Sequence, residues 1–249
     1  ARDFLSSISR LENDERGRGP LALPWRPMTD RAPRWSWHEL ADVLAAGLVR
    51  AAESAELEQA VRGLDALSEL ELHPLLHASL SAAGYGVHPE QRFPRERGKR
   101  RRSEGVRCDM VVTPGALALT DEQPQLGLFA PRQTMSLSDA LWIEVKAVAQ
   151  FHELRPNRAY AAALQRPVWK DVEKLASDPQ IVHGAVLLIL FTADAAVAEH
   201  DLGVWASRAS QRGLPLWPRV QRSLAIGDRI GNRLCTLALF PIERPALGP

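Results

Sequence analysis

The chain lacks the features that would assign it to a specialised class. Only two cysteines, Cys108 and Cys235, occur in its 249 residues. A disulfide scaffold needs more of them in a much shorter chain. Both stand in apolar, strand-like stretches and read as reduced core thiols, so an intracellular, cytoplasmic setting is expected. No apolar run approaches the roughly 20 residues that cross a bilayer, so a membrane partner is not expected. Ala1 to Arg10 starts polar and holds no long apolar stretch, so no secretory leader is visible. There is no G-x-x-x-x-G-K-[ST] loop and no G-x-S-x-G elbow, which argues against NTPase and serine-hydrolase chemistry. Net charge is also small: 31 Lys and Arg against 30 Asp and Glu leave +1.

What is present is ordinary in bulk and uneven in detail. Apolar residues make up 45% and charged residues 24%, as in soluble globular proteins. Between Arg92 and Arg107, however, eight basic residues face two acidic ones, 8 − 2 = +6, leaving −5 for the rest. The block Arg95, Arg97, Lys99, Arg100, Arg101 and Arg102 can track a phosphate backbone, and reads equally as a solvated hairpin loop.

Residues 1–35, with Pro20, Pro24, Pro27 and Pro33, read as an irregular arm anchored by Trp25 and Trp35. Ser36 and Glu39 form a capping-box pattern, and Leu40, Val43, Leu44 and Leu48 follow at helical spacing. A second helix is expected over about 55–67. A third is expected from Glu71 to Ala83, because Pro74 is comfortable only in a first turn. The pattern then turns to strands at 85–93, 107–113 and 141–148, with a long loop over 114–138. A helix at 166–177, a fully apolar strand at 185–191, a helix at 195–208 and a strand at 234–240 complete the chain. This order suggests an α/β/α sandwich with a central mixed sheet. An N-terminal arm and helical extension (1–67) precede an α/β core (68–249).

Charges are rare in apolar strands, yet R-C-D-M-V-V-T (107–113) carries Asp109 and L-W-I-E-V-K-A-V (141–148) carries Glu144 and Lys146. Strand alternation puts Glu144 and Lys146 on one face, about 6–7 Å apart. If the two strands pair, Asp109 can sit beside Glu144. Two carboxylates can hold Mg²⁺ and leave positions for water and phosphate. The Val145 carbonyl, lying between the two side chains, can supply another oxygen. Lys146 can then orient a water and stabilise developing negative charge. The plain alternative is a salt bridge of Lys146 with Glu144 or Asp109.

The stretches E-L-H-P-L-L-H-A-S-L-S-A-A-G-Y-G-V (71–87), R-C-D-M-V-V (107–112) and W-I-E-V-K (142–146) resemble the PD-(D/E)xK nuclease superfamily. K-D-V-E-K-L (170–175) and the buried strand after it are similar too. The resemblance covers roughly residues 68–191 and implies a restriction-endonuclease-like fold. It implies Asp109 and Glu144 as metal-binding acids, Lys146 as the catalytic lysine, and Mg²⁺ as cofactor with Mn²⁺ able to substitute. It adds a glutamate from the first core helix, Glu71 in preference to Glu69. A Ser68–Glu71 capping box competes with that role. By the same resemblance the chain would be a metal-dependent nuclease acting on DNA. A homodimer or larger complex, and a part in restriction or defence against foreign DNA, are compatible with that class. Two features depart from the pattern: Cys108 stands where a proline is frequent, and 144 − 109 = 35 residues separate the two acids, implying an insertion.

Other residues carry weaker signals. His73 and His77 stand one helical turn apart as a candidate zinc pair without a third ligand of clear spacing. Gln150 can reach substrate or stay solvated, and Lys170 and Lys174 can reach phosphate or form a charged face with Asp171 and Glu173. Trp142 is expected in the core. The competing functional reading is a catalytically silent nucleic-acid-binding or assembly module of the same fold.

Overall fold

A computed structural model describes residues 35–96, 105–120 and 134–242. The N-terminal arm, most of the basic block (Arg97, Lys99, Arg100, Arg101 and Arg102) and the middle of the 114–138 loop lie outside them.

The first helix, α1 (Trp37–Leu57), starts as its capping pattern implies: the Ser36 hydroxyl accepts the Glu39 N–H at 3.3 Å. It runs on through residues expected in a separate helix. After Leu57 the chain turns through Gln59 at φ 50° and re-forms only a 3-10 turn, Leu64–Ala66. The sequence A-L before Ser68 therefore belongs to a connection and not to a helix of its own.

Helix α2 (Glu69–Ala82) begins two residues before the expected start. Ser68 and Glu71 form a reciprocal capping box, Glu71 N–H to Ser68 Oγ at 3.3 Å and Ser68 N–H to Glu71 Oε2 at 2.7 Å. Two satisfied end donors outweigh the one helical bond that Pro74 cannot make inside the helix. Gly47 lets α1 and α2 cross closely, because a Cβ there would fall 1.6 Å from Ser79 Oγ.

The rest of the chain gives β1 (Gly86–Arg92), β2 (Arg107–Thr113), β3 (Ala118–Thr120), β4 (Thr134–Ser136), β5 (Leu141–Ala149), β6 (Phe151–His152) and β7 (Arg155–Pro156). These precede α3 (Tyr160–Ser177), β8 (His183–Thr192), α4 (Ala195–Gln211), β9 (Val220–Ala225) and β10 (Leu234–Pro241). Helix α3 starts six residues before the expected Arg166 and carries Pro167 inside it. Strand β9 lies at a sheet edge with only Val220 buried, so it shows no apolar alternation to read.

Six strands form one mixed sheet in the order β1-β2-β5-β8-β10-β9. The β5–β8 pair at its centre is parallel, from Leu141 opposite His183 to Ala149 opposite Phe191, and the other pairs are antiparallel. Strand β8 is buried on both faces, as its apolar run implies. Its Val186, Leu188 and Leu190 meet Val168, Val172 and Leu175 of α3 and Trp205 of α4. Its Leu187 and Ile189 meet Leu44 and Leu48 of α1 and Leu72 and Leu76 of α2. Among the described residues the protein is thus a mixed α/β structure with four helices, two on each face of the sheet. Helix α1, N-terminal to the expected 67/68 boundary, shares the core of α2. Both cysteines are buried free thiols. No helix among the described residues is long and apolar enough to cross a membrane.

Candidate functional site

The site lies where two central strands part. Met110, Val111 and Val112 of β2 pair with Ile143, Trp142 and Leu141 of β5, while β5 runs on beside β8 to Ala149. One further step of the β2–β5 register sets Asp109 opposite Glu144. There a side chain replaces the ladder: Asp109 Oδ2 accepts the Val145 N–H at 2.7 Å. A strand residue's N–H and C=O project to the same edge, so the Val145 carbonyl faces the same opening. Side chains from both helical layers enter it.

From α2, Glu69 reaches β5. Its Oε1 lies 2.9 Å from Lys146 Nζ, and its Oε2 accepts the Ala147 N–H at 3.3 Å. From α3, buried Asp171 and partly exposed Lys174 approach the same strand. Lys174 Nζ is 3.1 Å from Glu144 Oε1 and also pairs with Asp171 Oδ1; Asp171 Oδ2 lies 3.6 Å from Lys146 Nζ. A continuous ionic chain therefore runs Glu69, Lys146, Asp171, Lys174, Glu144.

Burial and charge set the protonation states. Glu144 is 2% exposed. Burial, and then the negative charge of Asp109 within hydrogen-bonding reach, push its carboxyl up to about 9. Burial works against charge on Lys146, but its bond to Glu69 and the charges of Glu69, Asp171 and Asp109 outweigh this and hold it above the ordinary lysine value. Burial likewise opposes charge on Lys174, and Glu144 and Asp171 outweigh it. Both lysines are cations at neutral pH, so neither is a general base.

The carboxylates leave the site with an excess of negative charge. With Glu144 ionised, four carboxylates (Glu69, Asp109, Glu144, Asp171) face two lysines, 2 − 4 = −2. A divalent cation would cancel that charge and offset the burial and the Asp109 repulsion that together keep a proton on Glu144.

Asp109, Glu144, Lys146 and the Val145 backbone thus come together. Glu71 does not join them: its carboxylate caps Ser68 and pairs with exposed Arg62 at 3.6 Å. Glu69, the residue less favoured from sequence, takes the place beside Lys146. The reason is the helix start, since beginning at Glu69 turns Glu71 back on the cap.

Sequence reasoning underrated Asp171 and Lys174. A signal existed: Asp171 falls three residues after Val168 and four before Leu175, on the buried stripe of α3. It underrated His73 as well. This ring is 6% exposed, and its Nε2 is buried without a hydrogen-bond partner. A ring nitrogen of His73 and carboxylate oxygens of Glu69 and Asp109 all lie within 4.8 Å of one another, a group able to hold a metal ion.

Arg95 and Gln150 take part in the fold's own hydrogen bonding. Arg95 donates its Nη1 to Ser177 Oγ at 2.7 Å and its backbone N–H to Asp178, which ties it to the end of α3. Gln150 Oε1 accepts the Ala193 N–H at 2.9 Å and braces the β5–β8 ends. Lys170 is exposed, and Trp142 is fully buried as expected. Set against models of known families, curated proteins and solved structures, the chain matches none.

Proposed function

We propose that the protein is a divalent-cation-dependent phosphodiesterase that cleaves DNA, with a restriction-endonuclease-like core of the PD-(D/E)xK type. The observation that carries this reading is the pairing of Asp109 with Glu144 at the open end of the β2–β5 ladder, with the charged Lys146 two residues along. Asp109, Glu144 and the Val145 carbonyl would hold Mg²⁺, and Mn²⁺ would substitute. Such an ion neutralises the scissile phosphate and lowers the pKa of a bound water. Lys146, kept cationic by Glu69 and Asp171, donates hydrogen bonds to the attacking water and to a phosphate oxygen as charge builds there. Asp171 and Lys174 fix the second carboxylate from the α3 side. A DNA partner accords with the basic block around residues 95–102, of which only Arg95 is described.

Incubation with supercoiled circular DNA, linear duplex and RNA, each with Mg²⁺ or with EDTA, tests the reading. Nicking or linearisation of the circle with Mg²⁺ only, abolished by Lys146→Ala, is the expected result. Absence of Mg²⁺- or Mn²⁺-dependent cleavage of any of these substrates, or full cleavage by the variant, overturns it.

A further inference from the structure

Within the opening, Asp109 has two sets of neighbours, and the set on the α2 side differs in chemistry. Glu69 and His73 are four residues apart, so they share one face of α2 and both reach the opening between β2 and β5. With Asp109 they offer two oxygens and one imidazole nitrogen within 4.8 Å of one another. Of three ligands on one ion only one pair can stand on opposite sides, about 4.2 Å apart with bonds of about 2.1 Å, and the other pairs stand closer. Closing the group onto an ion therefore draws these side chains inward from their separation of up to 4.8 Å.

The imidazole is the independent sign of a ligand. A buried ring nitrogen without a partner is costly and uncommon in a folded protein. His73 Nε2 is in that state, in a residue 94% buried (100 − 6), while both carboxylates keep spare acceptor capacity. Glu69 accepts one bond each from Lys146 and the Ala147 N–H, and Asp109 Oδ2 accepts the Val145 N–H. Ionised carboxylates have about four acceptor positions each. His77, one turn further along, also has a buried Nε2 without a partner and its ring centroid is 6.0 Å from that of His73, but it is only half-buried and lies outside the ligand group.

We propose that Glu69, His73 and Asp109 form a mixed nitrogen–oxygen position for a first-row transition ion of the Mn²⁺ or Co²⁺ class. Imidazole raises affinity for first-row transition ions along the series from Mn²⁺ through Co²⁺, and the two carboxylates suit Mn²⁺, whereas Mg²⁺ prefers oxygen ligands alone and keeps its waters. The inference rests on the reading that Asp109 belongs to a cation site, and it assigns that site a nitrogen ligand and an ion preference. His73 thereby becomes a specificity-determining residue: it sets which ion binds, while the carboxylates set that one binds at all.

The test is metal binding, independent of DNA. The full-length protein and its His73→Gln and His77→Gln variants are titrated calorimetrically with CoCl₂, MnCl₂ and MgCl₂. Visible absorption of the Co²⁺ form is recorded alongside. His73→Gln is expected to weaken Co²⁺ and Mn²⁺ binding by at least about tenfold, the lower end of what even an outer-shell contact costs. It should also shift the Co²⁺ spectrum and leave Mg²⁺ binding within about twofold. His77→Gln is expected to keep the parental values. Unchanged Co²⁺ affinity and spectrum in His73→Gln, or loss confined to His77→Gln, overturns the proposal. If His73→Gln does not fold, pulsed electron paramagnetic resonance of the parental Mn²⁺ form decides: nitrogen coupling is expected, and its absence overturns the assignment. A protein that binds Co²⁺ through His73 yet cleaves no nucleic acid would refute the phosphodiesterase reading and leave this one standing.

Discussion

Asp109 accepts the backbone N–H of Val145 with its own side chain, at 2.7 Å, at the step where the β2–β5 ladder stops. One carboxylate thus closes the sheet's hydrogen bonding and opens the site. The two roles separate by substitution. Asp109→Asn keeps an oxygen acceptor and removes the charge, so stability should stay within about 1 kcal/mol while Asp109→Ala, which orphans the N–H, loses about 1–3 kcal/mol. Both should lose Mg²⁺-dependent cleavage by at least about a hundredfold. Urea unfolding beside a plasmid-nicking assay checks this; an active Asp109→Asn would contradict the metal-ligand role.

The two glutamates at the start of α2 make a matched pair. Glu71→Ala removes half of the capping box and should cost about 0.5–2 kcal/mol with cleavage preserved. Glu69→Ala frees Lys146 from its 2.9 Å partner and should lower the cleavage rate at least about tenfold with a smaller loss of stability. Thermal unfolding and single-turnover rates on the two variants decide, and the opposite ranking would restore Glu71 to the site.

The contrast between these neighbours shows what the sequence can and cannot reveal. Asp109, Glu144 and Lys146 stood out because strands alternate and apolar strands seldom carry charge; the observed register sets the acids opposite each other. The central β8 was legible for a similar reason, as an unbroken apolar run. Helix contributions were harder, because a charge on a helix has solvent available on three sides. Pro74 argued for a later helix start, and that error turned Glu69 away and Glu71 inward. Asp171 looked like a surface residue because its charged neighbours Lys170 and Glu173 are, although its spacing from Val168 and Leu175 places it inside. Edge strand β9 buries too little to leave a pattern.

Glu144 should make the cation-free protein lose stability as pH rises. Its carboxyl titrates near about 9 when folded, above the ordinary value of about 4.3 in the unfolded chain. Between these values the folded protein holds a proton that the unfolded chain has released, so the contribution is full at or below about pH 4 and declines until about pH 9. Glu144→Gln stays neutral throughout. In EDTA, its stability relative to the parent should therefore grow from about pH 5 to about pH 9, as read by urea unfolding. A constant difference would show that Glu144 is ionised without a cation. By the same linkage, Mg²⁺ binding below about pH 9 should release a proton, detectable as a buffer-dependent heat.

Lys174 is the counter-charge of Glu144 on the α3 side, 3.1 Å away, and is paired with buried Asp171. Lys174→Ala leaves buried Glu144 without its 3.1 Å cation and buried Asp171 with Lys146 at 3.6 Å. Because its side chain is 30% exposed, the loss should fall below that of a fully buried pair, at about 1–3 kcal/mol. Glu144 can escape the charge by holding its proton. The loss should therefore be smaller in mildly acidic EDTA than in alkaline EDTA. Saturating Mg²⁺ should recover part of it, because a divalent ion at Asp109 and Glu144 takes over the charge compensation that Lys174 supplied. Thermal unfolding of the variant and parent at two pH values, with EDTA or Mg²⁺, measures all three effects. Equal losses under every condition would mean that Lys174 only packs against α3 and has no electrostatic link to the ion site.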